Sequence, residues 1–385
     1  MNTQRWLSFS FLTFFFTWGI FLPYWTGFLT NDKGLSVKAA SVVMGAGMVA
    51  RSFATFLFFP YMTRKLSLIR AVQWTALISL LLAIMYLPNS PFAVLLLITI
   101  LFSAVYPMIL PAVESGASVL MQADRIHYGK SRSYGSIGYT VALLIVGAAT
   151  AVWGEKSILL LMIAGLGFIV LFFSRPAPAI LQSKPEYKSG SNVKTGLKSL
   201  FQSKGFAVVM LLAILLQGAH ASYYNYGFIF LNDLGVNGFY IGIVLNIAIL
   251  FEILFFAKAD RLLSKVKVST MFLVSAIGST VRWVAIFLYP MTSVFIASQV
   301  LHALSFGVAH YAFIQYISTK LPNSHIAAAQ GFYAAFAMSL STAILTFPAG
   351  FLYDEVSPNA AFLGMTICSV PAIIIVLLTR KKLNY

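Results

Sequence analysis

Four charged side chains interrupt apolar stretches of this sequence, and they are the residues best suited to do chemistry. Arg51, Glu114, Glu252 and Arg282 each lie inside an apolar run. A charged side chain at the centre of a bilayer costs roughly 2.5 to 3.5 kcal/mol, so four exposed to lipid would cost on the order of 10 kcal/mol. They must therefore face a partner, a cavity or the interior of a helix bundle.

Two interpretations of these charges stay open at this point. They form buried ion pairs that fix helix packing, or they form a proton or substrate site. A low-dielectric cavity favours the protonated form of a carboxylate, and a nearby arginine favours the charged form. A carboxylate that switches between these forms is what proton coupling needs. Two carboxylates and two arginines allow neutral pairs, and the sequence does not choose between the pairings.

Three histidines, His220, His302 and His310, also lie within apolar runs. A histidine inside a helix bundle is most often a hydrogen-bonded packing residue, and its functional alternative is a proton relay. The single cysteine, Cys368, has no metal-ligand spacing around it. Without a Walker motif, a catalytic triad or a metal-binding pattern, we expect no ATP drive, no enzyme activity, no cofactor and no metal.

Aromatic side chains cluster near the ends of two apolar runs. Tyr24 follows Pro23, and Tyr223 and Tyr224 follow His220. They form an aromatic belt at the membrane surface or line a cavity suited to a ring-bearing substrate.

The elements that carry these residues are predicted to be transmembrane helices. The chain is 59% hydrophobic and 9% charged, which is not the composition of a soluble domain. Helices rather than barrel strands are indicated, because barrel strands are short and alternate in polarity. The fold class is therefore an all-α integral membrane protein with twelve helices. We place the spans at about 6–29, 38–60, 67–88, 91–121, 134–152, 157–174, 206–231, 238–257, 268–289, 292–318, 326–350 and 359–379.

Basic charge alternates from one side of these spans to the other. With a cytoplasmic N-terminus, 21 of the 26 Lys and Arg fall on the inner side and three on the outer side, the other two being Arg51 and Arg282. The positive-inside rule then puts both termini in the cytoplasm. The net charge of +16 is spread over loops that face the bilayer surface, so we expect no nucleic-acid partner.

The two halves of the chain resemble each other. A polar stretch divides it into an N-terminal six-helix bundle at 1–175, a cytoplasmic linker at 176–204 and a C-terminal six-helix bundle at 205–385. An offset of 201 positions aligns Asp32 with Asp233, Gly34 with Gly235, Arg64 with Lys265 and Arg51 with Glu252. Two parallel six-helix repeats are typical of major facilitator transporters, whose substrate site lies between the halves near the midplane.

The segment from Tyr128 to Tyr139 resembles the start of helix 5 in the lactose permease branch of the major facilitators. The resemblance implies that Arg132 and Glu114, eighteen positions earlier, form a substrate-binding pair and that Tyr139 stacks on the substrate. Arg282 and His302 match an arginine and a histidine tied to proton coupling. The proton-binding glutamate of that branch is Ser305 here and a nearby lysine is Gln299, so Glu252 is the best proton site in the second half.

The sequence is also identified as a member of the 3-phenylpropionate permease family. The motifs that carry this resemblance are Arg5-Trp6, residues 19–23, residues 45–51, residues 216–221, Arg282-Trp283, the His302 and His310 pair, and residues 349–353. The family implies a proton symporter that imports a small aromatic carboxylate, such as 3-phenylpropionate, across a bacterial inner membrane. We expect substrate contacts from Glu114, Arg132, Tyr139, Tyr24, Tyr223 and Tyr224. We expect proton coupling through Glu252, Arg282, His302, His220 and Arg51.

Other functions stay open at this stage. A sugar or nucleoside symporter is the alternative within transport, because Glu114 with Arg132 could bind hydroxyls as readily as Arg132 could bind a carboxylate. A membrane sensor that transports nothing is a remoter alternative. The partners expected are the substrate, protons and the lipid bilayer, and the protein is expected to be a monomer by analogy with other major facilitators.

Overall fold

A computed structural model describes residues 2–124, 126, 128–182, 204–263, 265–321 and 329–383, and every regular element in that part of the chain is a helix. We number the helices α1 to α12 in chain order. Their bounds are Thr3–Asp32, Val37–Thr63, Leu68–Ile84, Phe92–Ala117, Ser131–Trp153, Lys156–Phe173, Gly205–Asp233, Gly238–Phe256, Val268–Leu288, Thr292–Ile317, Ala329–Glu355 and Ala360–Lys381. Further helical turns begin α5 at Tyr128 and carry α8 on to Leu263.

Eleven of these helices, counted over the described residues, are long and apolar enough to cross a membrane, and the all-α membrane fold class is confirmed. The exception is α3, which has 17 residues where the sequence predicts a span over 67–88. It ends at Ile84 because the next residues form turns, with Tyr86 N–H donating to Ala83 O and Leu87 N–H donating to Ile84 O. Pro88 then follows and cannot continue a helix.

The contacts divide the chain into two compact units. The first comprises Met1–Lys188 with Gly235–Ile243, and the second comprises Ser189–Leu234 with Val244–Tyr385. Within the first unit α1 packs along α5. Their backbones approach so closely that a Cβ built on Gly138 would collide with Leu12 O. The second unit has a core of buried side chains from α7, α9, α10, α11 and α12, among them Phe206, Phe272, Phe313, Tyr333 and Val376.

The turns after α1 and α7 have the same local structure. α1 ends at Asp32 and α7 at Asp233, and the next helices begin at Val37 and Gly238. Gly34 and Gly235 lie between them with φ of 70° and 77°, in the left-handed region that glycine adopts without a steric penalty. Each of these positions differs by 201, so the offset found in the sequence also relates helix ends and backbone conformation.

Candidate functional site

The first unit brings Arg132 of α5 next to Glu114 of α4, as the resemblance to lactose permeases predicts. Arg132 Nε lies 3.8 Å from Glu114 Oε1, and the two side chains are 37% and 34% exposed. The guanidinium also lies over the ring of Phe15, 4.0 Å from its centroid. Arg132 is thus held by one carboxylate and one aromatic face, and its side chain is not fully buried.

Two other predicted residues of the first unit lie in different surroundings. Arg51, on α2, is half-buried, and its guanidinium lies 5.4 Å from the ring centroid of Trp18 on α1. Tyr139, seven residues after Arg132 on α5, is half-buried. Seven residues are about two helical turns, so Tyr139 lies on the same face of α5 as Arg132.

Tyr24 is fully buried and joins two helices of the first unit. Its hydroxyl donates to Leu143 O of α5 at 2.9 Å. This hydrogen bond between α1 and α5 gives Tyr24 a packing role irrespective of any contact with substrate.

The second unit contains a buried polar network centred on Arg282 of α9. Arg282 is 0% exposed, although it is one of the largest side chains of the unit. Its Nη1 donates to His302 Nδ1 at 3.1 Å and to Ser305 Oγ at 3.4 Å, and its Nη2 donates to Gln299 Oε1 at 3.5 Å. Partners on one helix, α10, therefore satisfy much of the hydrogen-bonding capacity of this buried cation.

The donors in this network determine which ring nitrogen of His302 carries the proton. A guanidinium can only donate, so Nδ1 of His302 must accept, and a neutral ring then carries its proton on Nε2. His302 Nε2 lies 3.4 Å from Glu252 Oε2 on α8. The imidazole thus connects Arg282 to Glu252, with the cation on one ring nitrogen and the carboxylate on the other.

His220 of α7 extends the network through a hydroxyl. Its Nδ1 lies 2.9 Å from Leu216 O, which can only accept, so Nδ1 carries the proton. Its Nε2 lies 3.1 Å from Ser305 Oγ, so a neutral His220 accepts from that hydroxyl through Nε2. Ser305 Oγ also accepts from Arg282 Nη1 at 3.4 Å, so this hydroxyl connects Arg282 to His220.

Aromatic rings enclose the same guanidinium. Arg282 Cζ lies 4.5 Å from the ring centroid of Tyr223 and 4.6 Å from that of Trp283. Tyr224 is half-buried and stacks on His220, with ring centroids 5.8 Å apart. Rings in these positions shield the cation from water and attract it through their π-electrons.

Sequence reasoning singled out His310 but missed the side chains that surround it. The ring of Phe306 stacks between His302 and His310, with centroids 5.3 Å and 6.0 Å away. His310 Nδ1 lies 2.9 Å from Tyr333 Oη, which also accepts from Gln217 Nε2 at 2.9 Å. The spacing of four residues from His302 to Phe306 and to His310 places all three on one helix face, a signal that could have predicted the stack.

Residues 4–364 match a family of known proteins described as the MFS_1 like family. The chain belongs to this family. It is 30% identical over 377 residues to the "Probable 3-phenylpropionic acid transporter" of Escherichia coli (strain K12), with 97% of each chain covered. It is 24% identical to the "Maltose permease" of Geobacillus stearothermophilus over 379 residues, covering 96% of this chain and 92% of that one.

The fold of this chain resembles that of solved transporter structures. The nucleoside transporter NupG superimposes with a TM-score of 0.82 at 16% identity, covering 100% of both chains. A point mutant of the same transporter gives a TM-score of 0.85, also at 16% identity, over 98% of this chain and 99% of that one. The predicted resemblance to 3-phenylpropionate permeases and the major facilitator fold are thus confirmed. The protein is a multi-pass membrane protein and a secondary transporter of small molecules, and its family implies transport rather than catalysis.

Proposed function

We propose that this protein is a proton symporter that imports a small aromatic carboxylate by alternating access, with 3-phenylpropionate as the leading substrate. The observation that carries the proposal is the contact of His302 with both Glu252 and the fully buried Arg282. The 30% identical relative, named for 3-phenylpropionic acid, supports the substrate class.

Glu252 is the proposed proton carrier, because it differs from its partners in exposure. Its side chain is 25% exposed, whereas that of His302 is 3% exposed. Glu252 is therefore the more accessible of these two titratable groups. The charge of Glu252 balances that of Arg282 through the ring of His302. Protonation of Glu252 removes this balancing charge and changes the net charge of the network around Arg282. We propose that this change of charge in the second unit is the step that couples uptake of a proton to uptake of the carboxylate.

Arg132 is the proposed anchor for the carboxylate of the substrate. An arginine presents a planar fork of donors that fits a carboxylate in a bidentate way. Glu114, 3.8 Å from its Nε, would orient the fork, and Tyr139 on the same face of α5 would contact the body of the substrate. We propose further ring contacts from Tyr223 and Tyr224, and supporting roles in coupling for His220 and Arg51.

The carrier role of Glu252 predicts a specific transport defect. Glu252→Gln keeps the shape of the side chain but cannot carry a proton or a charge, so proton-driven accumulation should be lost while exchange of substrate is retained. The measurement is uptake by proteoliposomes under an imposed proton gradient, with counterflow in parallel. Glu355→Gln, at the exposed end of α11, is the matched control. Normal accumulation by Glu252→Gln would remove Glu252 as the carrier.

The substrate class is tested in the same vesicles with a panel of aromatic acids, sugars and nucleosides. A sugar or nucleoside is the competing class, since Glu114 and Arg132 together offer an acceptor and donors for hydroxyls. Faster uptake of a sugar or nucleoside than of every aromatic acid would favour that class and overturn the proposed one.

The proposed orientation in a bacterial inner membrane has both termini and the linker at 176–204 in the cytoplasm, between bundles at 1–175 and 205–385. The reason is the excess of 21 basic residues over three. Reporter fusions at Lys188 and Asn384, positions outside the described residues, should both read cytoplasmic. An external reading at either would reverse the orientation or change the number of spans. We also propose that the protein works as a monomer.

A further inference from the structure

We propose that the first unit binds the headgroup of an anionic phospholipid where α3 begins and α6 ends. A cavity of about 450 Å³ lies there. Its polar lining includes Ser67, Arg70 and Gln73 from the start of α3, and Ser174, Arg175 and Gln182 from the segment that follows α6. None of these residues belongs to the proposed substrate or proton sites.

Hydrogen bonds hold the walls of this cavity in place. Gln73 Nε2 donates to Phe173 O at 2.8 Å and so ties α3 to the last turn of α6. Gln182 Nε2 donates to Ala177 O at 2.9 Å, which closes the segment after α6 on itself. Ser67, the residue immediately before α3, is buried. Hydrogen bonds therefore hold part of the polar lining of the cavity in place.

The positive charge of the residues that line the cavity favours the binding of an anion. Arg70 and Arg175 both line it, and both are exposed. In the described part of the chain, the ion pairs found do not include either arginine. Two guanidinium groups offer paired donors that match the oxygens of a phosphate group.

An apolar groove next to the cavity indicates that the phosphate is part of a lipid. A second cavity of about 440 Å³ is lined by Leu66, Trp74 and Leu77 together with Arg70 and Gln73. Because Arg70 and Gln73 line both, the two cavities adjoin. Trp74 and Leu77 are 52% and 37% exposed. A free phosphate would fill only the polar cavity, whereas a phospholipid would place its headgroup there and an acyl chain along Trp74 and Leu77.

The position of the site agrees with the distribution of lipids. The positive-inside count assigns this end of α3 to the cytoplasmic surface. Basic pockets between transmembrane helices on that side are suited to anionic headgroups, and tryptophan is enriched at the level of the headgroups. The occupant is thus an anionic phospholipid such as phosphatidylglycerol or cardiolipin, rather than a zwitterionic one.

The test measures lipid binding to the full-length purified protein by native mass spectrometry. The wild-type protein should retain phosphatidylglycerol in preference to phosphatidylcholine. Arg70→Gln with Arg175→Gln should reduce that preference about tenfold, or about 1.4 kcal/mol. The matched control is Lys258→Gln with Arg261→Gln, which removes two exposed charges from the end of α8 and should leave the preference unchanged. Equal preference in the two double variants would overturn the proposal.

A second variant separates a lipid from a free anion. Trp74→Ala leaves both arginines in place, so it should weaken retention of phosphatidylglycerol while leaving any binding of inorganic phosphate unchanged. Displacement of phosphatidylglycerol by inorganic phosphate at equal concentration, with no effect of Trp74→Ala, would show a free-anion site and overturn the lipid assignment. Monodisperse gel filtration of each variant verifies folding, and these outcomes do not depend on which solute the protein transports.

Discussion

The two units each contain one arginine of the candidate site, and these two arginines differ in how deeply they are buried. Arg132 in the first is 37% exposed, with one carboxylate 3.8 Å away and the ring of Phe15 beneath it. Arg282 in the second is fully buried and has three polar partners on α10. The centroids of two aromatic rings lie within 5 Å of its Cζ. A partly exposed arginine can exchange water for a substrate oxygen. The electrostatic environment of a fully buried arginine changes when one of its partners gains or loses a proton.

This difference suggests a division of tasks between the units. In the proposed mechanism, the partly exposed Arg132 of the first unit binds the solute. The partly exposed Glu252, next to the buried network of the second unit, is the proposed proton carrier. Substitutions in the second unit should therefore cost mainly stability and coupling, and those at Arg132 should cost mainly affinity.

The largest effect is expected from Arg282→Gln. Arg282 is fully buried and donates to three side chains of α10, and leaving such a buried acceptor without its donor typically costs about 1 to 3 kcal/mol for each group. We expect a loss of that order in the free energy of unfolding, measured by denaturant titration in detergent and followed by circular dichroism. Arg282→Gln combined with Glu252→Gln restores the charge balance and should recover part of the lost stability, without restoring proton-driven uptake. Unchanged stability in the single variant would contradict the central position of Arg282 in the network.

A smaller effect is expected from Arg132→Lys, and on a different quantity. Lysine keeps the charge but loses the planar fork, so substrate binding should weaken by roughly 1 to 3 kcal/mol. Stability should change by less than about 1 kcal/mol, because the pair with Glu114 is partly exposed. Equilibrium binding of substrate to purified protein measures the first quantity. Arg261→Lys, on an exposed part of α8, is the control. Wild-type affinity in Arg132→Lys would remove Arg132 from the substrate site.

The smallest effect is expected from Tyr24→Phe, which distinguishes a packing role from a substrate contact. Loss of the hydrogen bond to Leu143 O should lower stability by about 1 kcal/mol and leave substrate affinity unchanged. Tyr224→Phe, at a half-buried ring of the second unit, is the comparison. Reduced affinity in Tyr24→Phe with full stability would instead support the predicted substrate contact.

Much of the fold could be predicted from the sequence because the bilayer imposes simple rules. Long apolar runs indicate spanning helices, and the offset of 201 positions also relates the glycine turns at Gly34 and Gly235. The length of α3 was less well predicted. The apolar residues continue past Ile84, but turn hydrogen bonds and Pro88 end the helix there. A hydropathy profile reports the apolar residues, but it does not report where turns and a proline end the helix.

The candidate site was predicted only in part. Charges within apolar runs single out Glu252 and Arg282 because burying a charge is costly, and the family resemblance adds His302. Neither signal shows that His302 lies between the other two, or that Ser305 connects Arg282 to His220. Ser305 in the sequence is only a departure from the lactose permease pattern, and its role depends on which side chains surround it.

The sequence by itself determined that this chain spans a membrane, that 21 of its 26 basic residues fall on one side of the predicted spans, and that the charges within its apolar runs need partners. The first and the third follow from the transfer free energies of residue types, and the second follows from the order of basic residues and apolar runs along the chain. Only the tertiary structure decided which partners those charges have and in which direction each hydrogen bond points. Glu252, Arg282 and His302 come from three helices, and their contacts depend on packing between segments far apart in the chain. Once the structure shows which groups are in contact, the direction of a hydrogen bond follows from chemistry, because an arginine can only donate and a carbonyl can only accept.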